Sequence, residues 1–140
     1  MRFILIFLLI GTLACNTLEE DAVAFTGTEQ TLPEDFLAFY QRFHADTAYQ
    51  LRRITFPLAG IPDNQPFAEN FRWQRADWTP HRPFDLAANK MERQFSRRDA
   101  TTIEEVILQP QERAGILRRF SKLGDEWYLI YYAGMNRLRE

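Results

Sequence analysis

Arg118 is a charged residue on an otherwise apolar face of a predicted strand, and it is the first candidate for a site. The Gly124-Asp125 pair predicts a two-residue hairpin turn, which places Arg118 opposite Tyr131. The other members of that face are apolar: Ile116, Phe120, Trp127 and Leu129. Because an isolated charge in an apolar interior is costly, a buried guanidinium needs a partner.

The partner is predicted on the preceding strand, where Glu104 and Glu105 point to opposite faces. Whichever face turns inward therefore carries one carboxylate. We expect Arg118 to pair with Glu104 or Glu105, with Tyr131 nearby, at the wall or mouth of a cavity. Such a group could orient a small anionic or hydroxylated ligand. The alternatives are an ion pair that only satisfies itself, or an Arg118 that reaches solvent at the sheet margin.

The chain lacks the motifs of common catalytic and metal sites. It has no His-Glu-x-x-His zinc motif, no glycine-rich phosphate loop and no Gly-x-Ser-x-Gly nucleophile turn. Its two histidines are His44, predicted on the surface of a helix beside Phe43, and His81, predicted in a solvated loop between prolines. We therefore predict no catalytic residue, no metal site and no cofactor.

Arginine and tryptophan each suggest a binding surface and a simpler alternative. Fifteen arginines outnumber two lysines, which fits either an anion-binding surface or pairing with the nineteen acidic residues. Trp73 and Trp78 lie in a proline-flanked segment and are predicted to be partly exposed, whereas Trp127 is predicted in the core. The formal net charge of -2 argues against a general nucleic-acid binder.

Residues 1–14 predict an export signal. A basic start at Arg2 precedes an unbroken apolar run, 3–10, and small residues lead to Cys15. The run is too short to span about 30 Å of hydrocarbon. Residues 12–15, Thr-Leu-Ala-Cys, resemble a bacterial lipobox, except that Thr12 stands where leucine is commonest. The resemblance implies cleavage before Cys15 and its acylation, which anchors the protein to membrane lipid; ordinary secretion is the alternative.

Residues 15–30 predict an acidic tether. The segment 15–50 holds seven acidic residues and one basic residue. The run 19–21, Glu-Glu-Asp, resembles the signal that sends some lipoproteins to the outer surface of the outer membrane, although a solvated linker explains it equally well. We expect an exported, lipid-anchored protein of the bacterial cell envelope, on the outer membrane.

The rest of the chain, 31–136, predicts one domain. A chain of 140 residues with 20 aromatic residues is sufficient for a single core. The spacing of Phe36, Phe39, Tyr40 and Phe43 predicts a helix over 32–45. Thr31 and Glu34 form a potential capping box at its start, and Asp46 is a potential cap for a second, shorter helix.

Strands are predicted after the helices, at 53–58, 71–74, 101–108, 113–122 and 126–133. Pro57 cannot donate to a ladder, so the first of these strands is expected at an edge or to end there. Helices followed by a run of strands indicate an α+β fold with an antiparallel sheet.

Two segments resemble an uncharacterised family of bacterial lipoproteins, domain of unknown function 4348. They are 35–46, Asp-Phe-Leu-Ala-Phe-Tyr-Gln-Arg-Phe-His-Ala-Asp, and 49–58, Tyr-Gln-Leu-Arg-Arg-Ile-Thr-Phe-Pro-Leu. The run 124–129, Gly-Asp-Glu-Trp-Tyr-Leu, resembles the family's last strand pair, with one extra residue before the tryptophan. The resemblance implies a cystatin-like or nuclear-transport-factor-2-like cone, with helices packed on a curved antiparallel sheet. It implies no activity.

The sequence therefore favours a lipid-anchored envelope protein whose domain binds a small molecule or another protein without catalysis. One alternative is a small isomerase- or hydratase-like enzyme that uses the cavity of the cone, which would need a titratable group with a shifted pKa there. The other is a structural interaction module of the outer membrane, which would expose an apolar patch.

Overall fold

In a computed structural model, the chain folds as a helix pair packed on a seven-stranded mixed sheet. The structure describes residues 25–27, 32–68 and 70–138. The helices are α1 (Glu34–Ala45) and α2 (Thr47–Arg52). The strands are β1 (Phe25–Gly27), β2 (Ile54–Ile61), β3 (Arg72–Trp73), β4 (Glu92–Asp99), β5 (Thr102–Gln109), β6 (Ala114–Leu123) and β7 (Glu126–Arg137).

Several predictions for the N-terminal region lie outside the described residues. They are the export signal 1–14, the acylated Cys15 and the acidic run 19–21. The predicted tether reaches the described chain at 25–27, which forms β1 and pairs antiparallel with β4, so this part of the tether is a strand. Among the described residues, no helix is long and apolar enough to cross a membrane.

Helix α1 begins at Glu34, two residues later than predicted, and α2 begins after Asp46, where the sequence places it. The N-cap of α1 is Pro33, without a side-chain cap, and Thr31 of the predicted capping box lies outside the described residues. Asp35 supports the first turn instead, since its Oδ1 accepts the Phe36 N–H at 2.9 Å. Asp46 caps α2 as predicted, and its Oδ1 accepts the Tyr49 N–H at 2.9 Å.

The strand order is β1-β4-β5-β6-β7-β2-β3, and one pairing departs from the predicted antiparallel sheet. Strand β2 runs parallel to β7, while all other neighbouring pairs are antiparallel. Because β3 pairs with the other side of β2, the prediction that Pro57 marks an edge strand is wrong. The β2–β7 register shifts between Ile54 and Ala59, so the ladder passes Pro57 without needing its N–H.

The hairpin of β6 and β7 starts in the predicted register and then leaves it. Gly124 has a φ of +64° in the turn, and Phe120 pairs with Leu129 as expected. Beyond this pair β7 carries one extra residue, so Arg118 pairs with Tyr132 and Arg119 pairs with Tyr131. A single bulge therefore exchanges the faces of the two tyrosines.

The core lies between α1 and one face of the sheet, which we call the inner face. Phe36 is fully buried and its ring centroid lies 5.5 Å from that of Phe120 and 5.1 Å from that of Trp127. Lys122 Nζ and Trp127 Nε1 both donate to Asp35 Oδ2, at 2.8 and 3.1 Å. These contacts fix the start of α1 on the hairpin. The opposite, outer face of the sheet carries Glu104, Arg119 and Tyr131 in one cross-strand row.

Candidate functional site

Arg118 and Glu105 form an ion pair on the inner face. The register of β5 and β6 sets the two residues directly opposite one another. Arg118 Nε donates to Glu105 Oε2 at 2.7 Å, and both side chains have no exposed surface. The pair therefore lies in the apolar interior, where each charge depends on the other.

Tyr40 connects this pair to α1. Its hydroxyl donates to Glu105 Oε1 at 2.6 Å and accepts from Arg118 Nη2 at 3.0 Å. Arg93, from β4, places its Nε 3.0 Å from the same Glu105 oxygen. Glu105 is thus contacted by three strands or helices, in agreement with the rule that a buried carboxylate uses most of its lone pairs.

Both histidines of the chain contact Arg118, contrary to the predicted surface positions. Arg118 Nη1 lies 2.8 Å from His44 Nε2 and 3.4 Å from His81 Nδ1. Since a guanidinium can only donate, both ring nitrogens must be unprotonated acceptors. The other nitrogen of His44, Nδ1, then carries the hydrogen and donates to the Tyr40 carbonyl at 2.7 Å.

Helical spacing explains why the prediction for His44 is wrong. His44 follows Tyr40 by four residues and Phe36 by eight, so all three lie on one side of α1. His44 is 8% exposed. The spacing of Phe36, Tyr40 and His44 could have predicted a buried His44. The more apolar stripe of Phe36, Phe39 and Phe43 instead indicated that the buried side of the helix excludes it.

Gln50 explains the position of His81, which lies in irregular chain. The Gln50 Nε2 group donates to the carbonyls of Phe43 and His81, both at 2.7 Å. Its Oε1 accepts from the His81 N–H at 2.8 Å and from Trp78 Nε1 at 3.2 Å. Gln50 is only 1% exposed, so one buried amide joins α1, α2 and the segment that carries His81.

Aromatic rings enclose the histidine side of this arrangement. The His81 ring centroid lies 4.5 Å from that of Trp78 and 4.6 Å from that of Tyr132. Arg118 Cζ lies 5.6 Å from the Phe84 ring centroid. Trp78 is 8% exposed, so its predicted partial exposure is wrong, whereas Trp73 is half-buried. We call Tyr40, His44, His81, Glu105 and Arg118 the buried cluster.

Burial and pairing oppose one another for the two charges of the cluster. Burial alone would raise the pKa of Glu105, but the Arg118 guanidinium and the hydrogen bonds from Arg118 and Tyr40 hold that pKa below its ordinary value. Burial likewise favours neutral Arg118, yet Glu105 keeps the pKa of Arg118 above its ordinary value. Both groups therefore remain charged at neutral pH.

The remaining titratable groups of the cluster remain neutral. Burial raises the pKa of Tyr40 well above its ordinary value. Burial and the adjacent Arg118 charge lower the pKa of His44 to about 4 and that of His81 to about 2. The pKa values of these three groups are therefore shifted away from 7, whereas general acid–base catalysis is most efficient when the pKa of the catalytic group lies near the working pH.

The structure brings together only part of the predicted site. Of the two predicted partners of Arg118, Glu105 forms the pair and Glu104 lies on the outer face. Tyr131 also lies on the outer face, so its predicted place beside Arg118 is wrong. Glu104 Oε2 accepts from Arg119 Nη2 at 2.7 Å, and Arg119 Cζ lies 5.1 Å from the Tyr131 ring centroid. Tyr132 takes the place predicted for Tyr131, because of the bulge in β7.

The contacts of the buried cluster do not match those of a metal site. The described residues contain no group of three or more His, Cys, Asp or Glu side chains that could hold a metal ion. The ring nitrogens of His44 and His81 that face the cluster both contact Arg118 Nη1. In the cluster, the guanidinium occupies the position where a cation would be held.

An apolar groove lies on the outer face, away from the cluster. Its volume is about 390 Å³, and Val106, Leu117, Tyr131 and Ala133 form its floor. Pro66 and Leu138 border it. Leu138 is 48% exposed, and Phe67, which follows Pro66, is 81% exposed. Neither this groove nor a second hollow of about 600 Å³ beside Arg113 includes a residue of the buried cluster.

Comparison with known proteins supports the fold. No family model matches the chain, and no curated protein matches it. Among solved structures, the chain is similar to an NTF2-like protein from Bacteroides fragilis NCTC 9343, with a TM-score of 0.52 and 20% sequence identity. The match covers 71% of this chain and 46% of that one, so this chain spans less than half the length of that structure. The likeness shows an NTF2-like fold, and a fold alone does not determine activity.

Proposed function

We propose that this protein is a lipid-anchored component of the bacterial cell envelope whose NTF2-like domain binds another protein and does not catalyse a reaction. The proposal includes acylated Cys15 as the anchor, membership of the lipoprotein family that segments 35–46 and 49–58 resemble, and a location on the outer membrane. It also takes the sheet to curve around the helices as the cone that the resemblance implies.

The groove on the outer face is the observation that carries the binding function. Its floor is formed by apolar and aromatic side chains, and its volume of about 390 Å³ lies in the range of ligand-binding sites. Leu138, which lines the groove, is 48% exposed, and Phe67, next in the chain to the lining residue Pro66, is 81% exposed. Exposed large apolar residues at a groove are typical of sites that contact another protein, which favours a protein over a small molecule.

The buried cluster supports a role without catalysis. The polar atoms of Arg118, Glu105 and Tyr40 hydrogen-bond to one another in the interior, at 2.6 to 3.0 Å. General acid–base catalysis is most efficient when the pKa of the catalytic group is close to the working pH. In this cluster the histidines have low pKa values and the pKa of Tyr40 is raised, so the enzyme alternative gains no support.

In-cell photo-crosslinking tests the binding function. A benzophenone amino acid in place of Phe67, in the full chain expressed in its own envelope, should capture a second protein in a defined band. The matched control carries the same group in place of Leu123, which is 48% exposed but is the last residue of β6, at the end of the strand away from the groove. Leu117→Glu should abolish capture from position 67 by placing a charge on the groove floor. Equal capture from positions 67 and 123, or none from either, would contradict the proposal.

Metabolic labelling tests the anchor separately. The wild type should incorporate labelled palmitate and fractionate with membranes, because several acyl chains anchor a protein stably. Cys15→Ala should lose the label and move to the soluble fraction. A wild type without label would refute the anchor and leave the binding result unaffected.

A further inference from the structure

We propose that residues 79–84 form a strap over Arg118 and that protonation of His81 releases this strap from the domain. The strap has the sequence Thr-Pro-His-Arg-Pro-Phe and lies between a short 3-10 turn, Arg75–Asp77, and β4. Its outward residues are exposed, while His81 and Phe84 are half-buried against the cluster. The inference goes beyond the proposed function and does not depend on it.

The strap is held to the domain through one residue. In the described part of the chain, every hydrogen bond that joins 79–84 to the rest of the domain involves His81. Its N–H and carbonyl bond to Gln50 at 2.8 and 2.7 Å, and its Nδ1 faces Arg118 Nη1 at 3.4 Å. The two prolines of the strap, Pro80 and Pro83, have no N–H to contribute.

Protonation of His81 opposes this attachment directly. The Nδ1 lone pair accepts from a guanidinium, so a proton at Nδ1 removes the acceptor and leaves two donors facing one another. It also places two positive charges about one hydrogen-bond length apart, in a site from which water is largely excluded. The same ring packs on Trp78 and Tyr132, so its displacement withdraws the strap from the aromatic contacts as well.

The groups around His81 do not compensate for a second positive charge. The charged or titratable groups that face it or its immediate neighbours are Arg118 and Tyr132 on β6 and β7, His44 and Tyr40 on α1, Glu105 on β5, Arg93 on β4, and Asp63, which acts on Tyr132. Of the two carboxylates, Glu105 is already paired with Arg118, and Asp63 acts on Tyr132 and not on His81. Neutral His81 is therefore required for the closed strap, in agreement with the strongly lowered pKa of this residue.

The size of the effect follows from linkage. If release returns His81 to an ordinary pKa near 6.5, the equilibrium constant for opening should rise about 25-fold between pH 7 and pH 5. The strands open through larger, more stable units of structure, so their amides should remain better protected than those of the strap at both pH values.

Hydrogen–deuterium exchange of the full chain in mild detergent, at pH 7 and pH 5, tests the strap. Protection factors corrected for intrinsic exchange at each pH should fall about 25-fold in 79–84 and should stay well below those of 102–123 at both pH values, because the strap opens without the strands. His81→Asn is the critical variant, because its side-chain oxygen can take the place of Nδ1 as acceptor and does not titrate. Its strap should change by less than about twofold. His44→Gln is the matched control, because it removes the other histidine from α1 and should keep the wild-type response.

Three results would overturn the proposal. One is strap protection in the wild type that changes by less than about threefold between the two pH values. The second is protection in 79–84 that equals that of 102–123 at both pH values, which would show that the strap opens only when the whole domain unfolds. The third is a His81→Asn variant whose strap still loses protection in acid. That result would assign the response to a group other than His81.

Discussion

Arg118 and Arg119 are neighbours in the chain, and alternation along β6 gives them opposite surroundings. Arg118 is fully buried beside Glu105, while the side chain of Arg119 is 33% exposed beside Glu104. Two similar ion pairs on the same pair of strands therefore differ mainly in solvent access. A buried pair is costly to break because the remaining charge has no substitute partner, whereas a partly exposed pair is readily replaced by water.

This contrast predicts the result of two matched substitutions. Arg118→Met should lower the free energy of unfolding by about 3–5 kcal/mol, since it leaves Glu105 buried without its main partner. Arg119→Met should lower it by no more than about 1 kcal/mol. Urea unfolding of both variants measures the difference, and adding Glu105→Gln to Arg118→Met should recover part of the loss. Equal costs for the two single substitutions would show that Arg118 is not held in an apolar site.

The two histidines predict a stability that depends on pH. Their folded pKa values, about 4 and about 2, lie below the unfolded value of 6.5, so the unfolded chain binds more protons between these limits. The free energy of unfolding should therefore fall as the pH falls from 7 to 5, by up to about 2 kcal/mol for each histidine. Glu105, whose folded pKa is also lowered, adds a loss of the same sign below about pH 4.5.

Urea midpoints at pH 7, 6 and 5 measure this dependence. The double variant His44→Gln, His81→Asn should remove most of the slope, because it lacks both titrating groups. A wild-type midpoint that remains constant, or rises, between pH 7 and 5 would contradict the neutral histidines.

The residues of the cluster also mark the limit of what the sequence predicts. Arg118 and one of the two glutamates were predicted because strand alternation requires one carboxylate on each face. Tyr40 was predicted only as a core residue, and both histidines were placed at the surface. His81 could not be located from the sequence, because its position depends on Gln50, which lies 31 residues away.

At the level of elements, α1 is the part of the fold that the sequence predicts best. Its aromatic residues repeat at helical spacing, and the structure packs them on the hairpin of β6 and β7. The strands β1 and β4 were missed. Strand β4 has the sequence Glu-Arg-Gln-Phe-Ser-Arg-Arg-Asp, in which Phe95 is the one buried residue, so no alternation of apolar and polar residues marks it.

The packing of α1 predicts large losses from truncation of its aromatic contacts. Phe39→Ala or Trp127→Ala should cost about 3–5 kcal/mol, close to the whole stability of a small domain. Phe67→Ala is the control, because a residue that is 81% exposed contributes little to the folded state. Thermal unfolding measures all three. Melting temperatures that match the wild type in both core variants would disprove the packing of this helix on the sheet.

The bulge in β7 shows how one element can redirect a site. A two-residue turn fixes the register next to Gly124, and the sequence predicts that part correctly. The extra residue after Leu129 has no signal in the composition of the strand, since Ile130, Tyr131 and Tyr132 all favour a strand equally. Only the observed strand pairing therefore shows that Tyr132, and not Tyr131, lies beside Arg118.

At the scale of the molecule, the sheet separates two different surfaces. Its inner face holds α1 and the buried cluster, whose charges and hydrogen bonds are satisfied internally. Its outer face holds the apolar groove, bordered by Pro66 and Leu138. The parallel pairing of β2 with β7, which the sequence did not predict, brings Ile61 opposite Ala133 at this groove. This division gives the inner face a structural role and leaves the outer face for the proposed binding of a partner.

The protonation states of His44 and His81 test the account most directly, because the contacts of both rings with Arg118 require unprotonated ring nitrogens. The chain contains only these two histidines, so ring nitrogen NMR spectra of the full chain give two assignable sets of signals. We predict that both rings remain neutral from pH 7 to pH 5 in the folded domain with the strap closed, with the hydrogen of His44 on Nδ1 and that of His81 on Nε2. A ring that titrates with a pKa near the ordinary 6.5, or a His44 with its hydrogen on Nε2, would contradict the account.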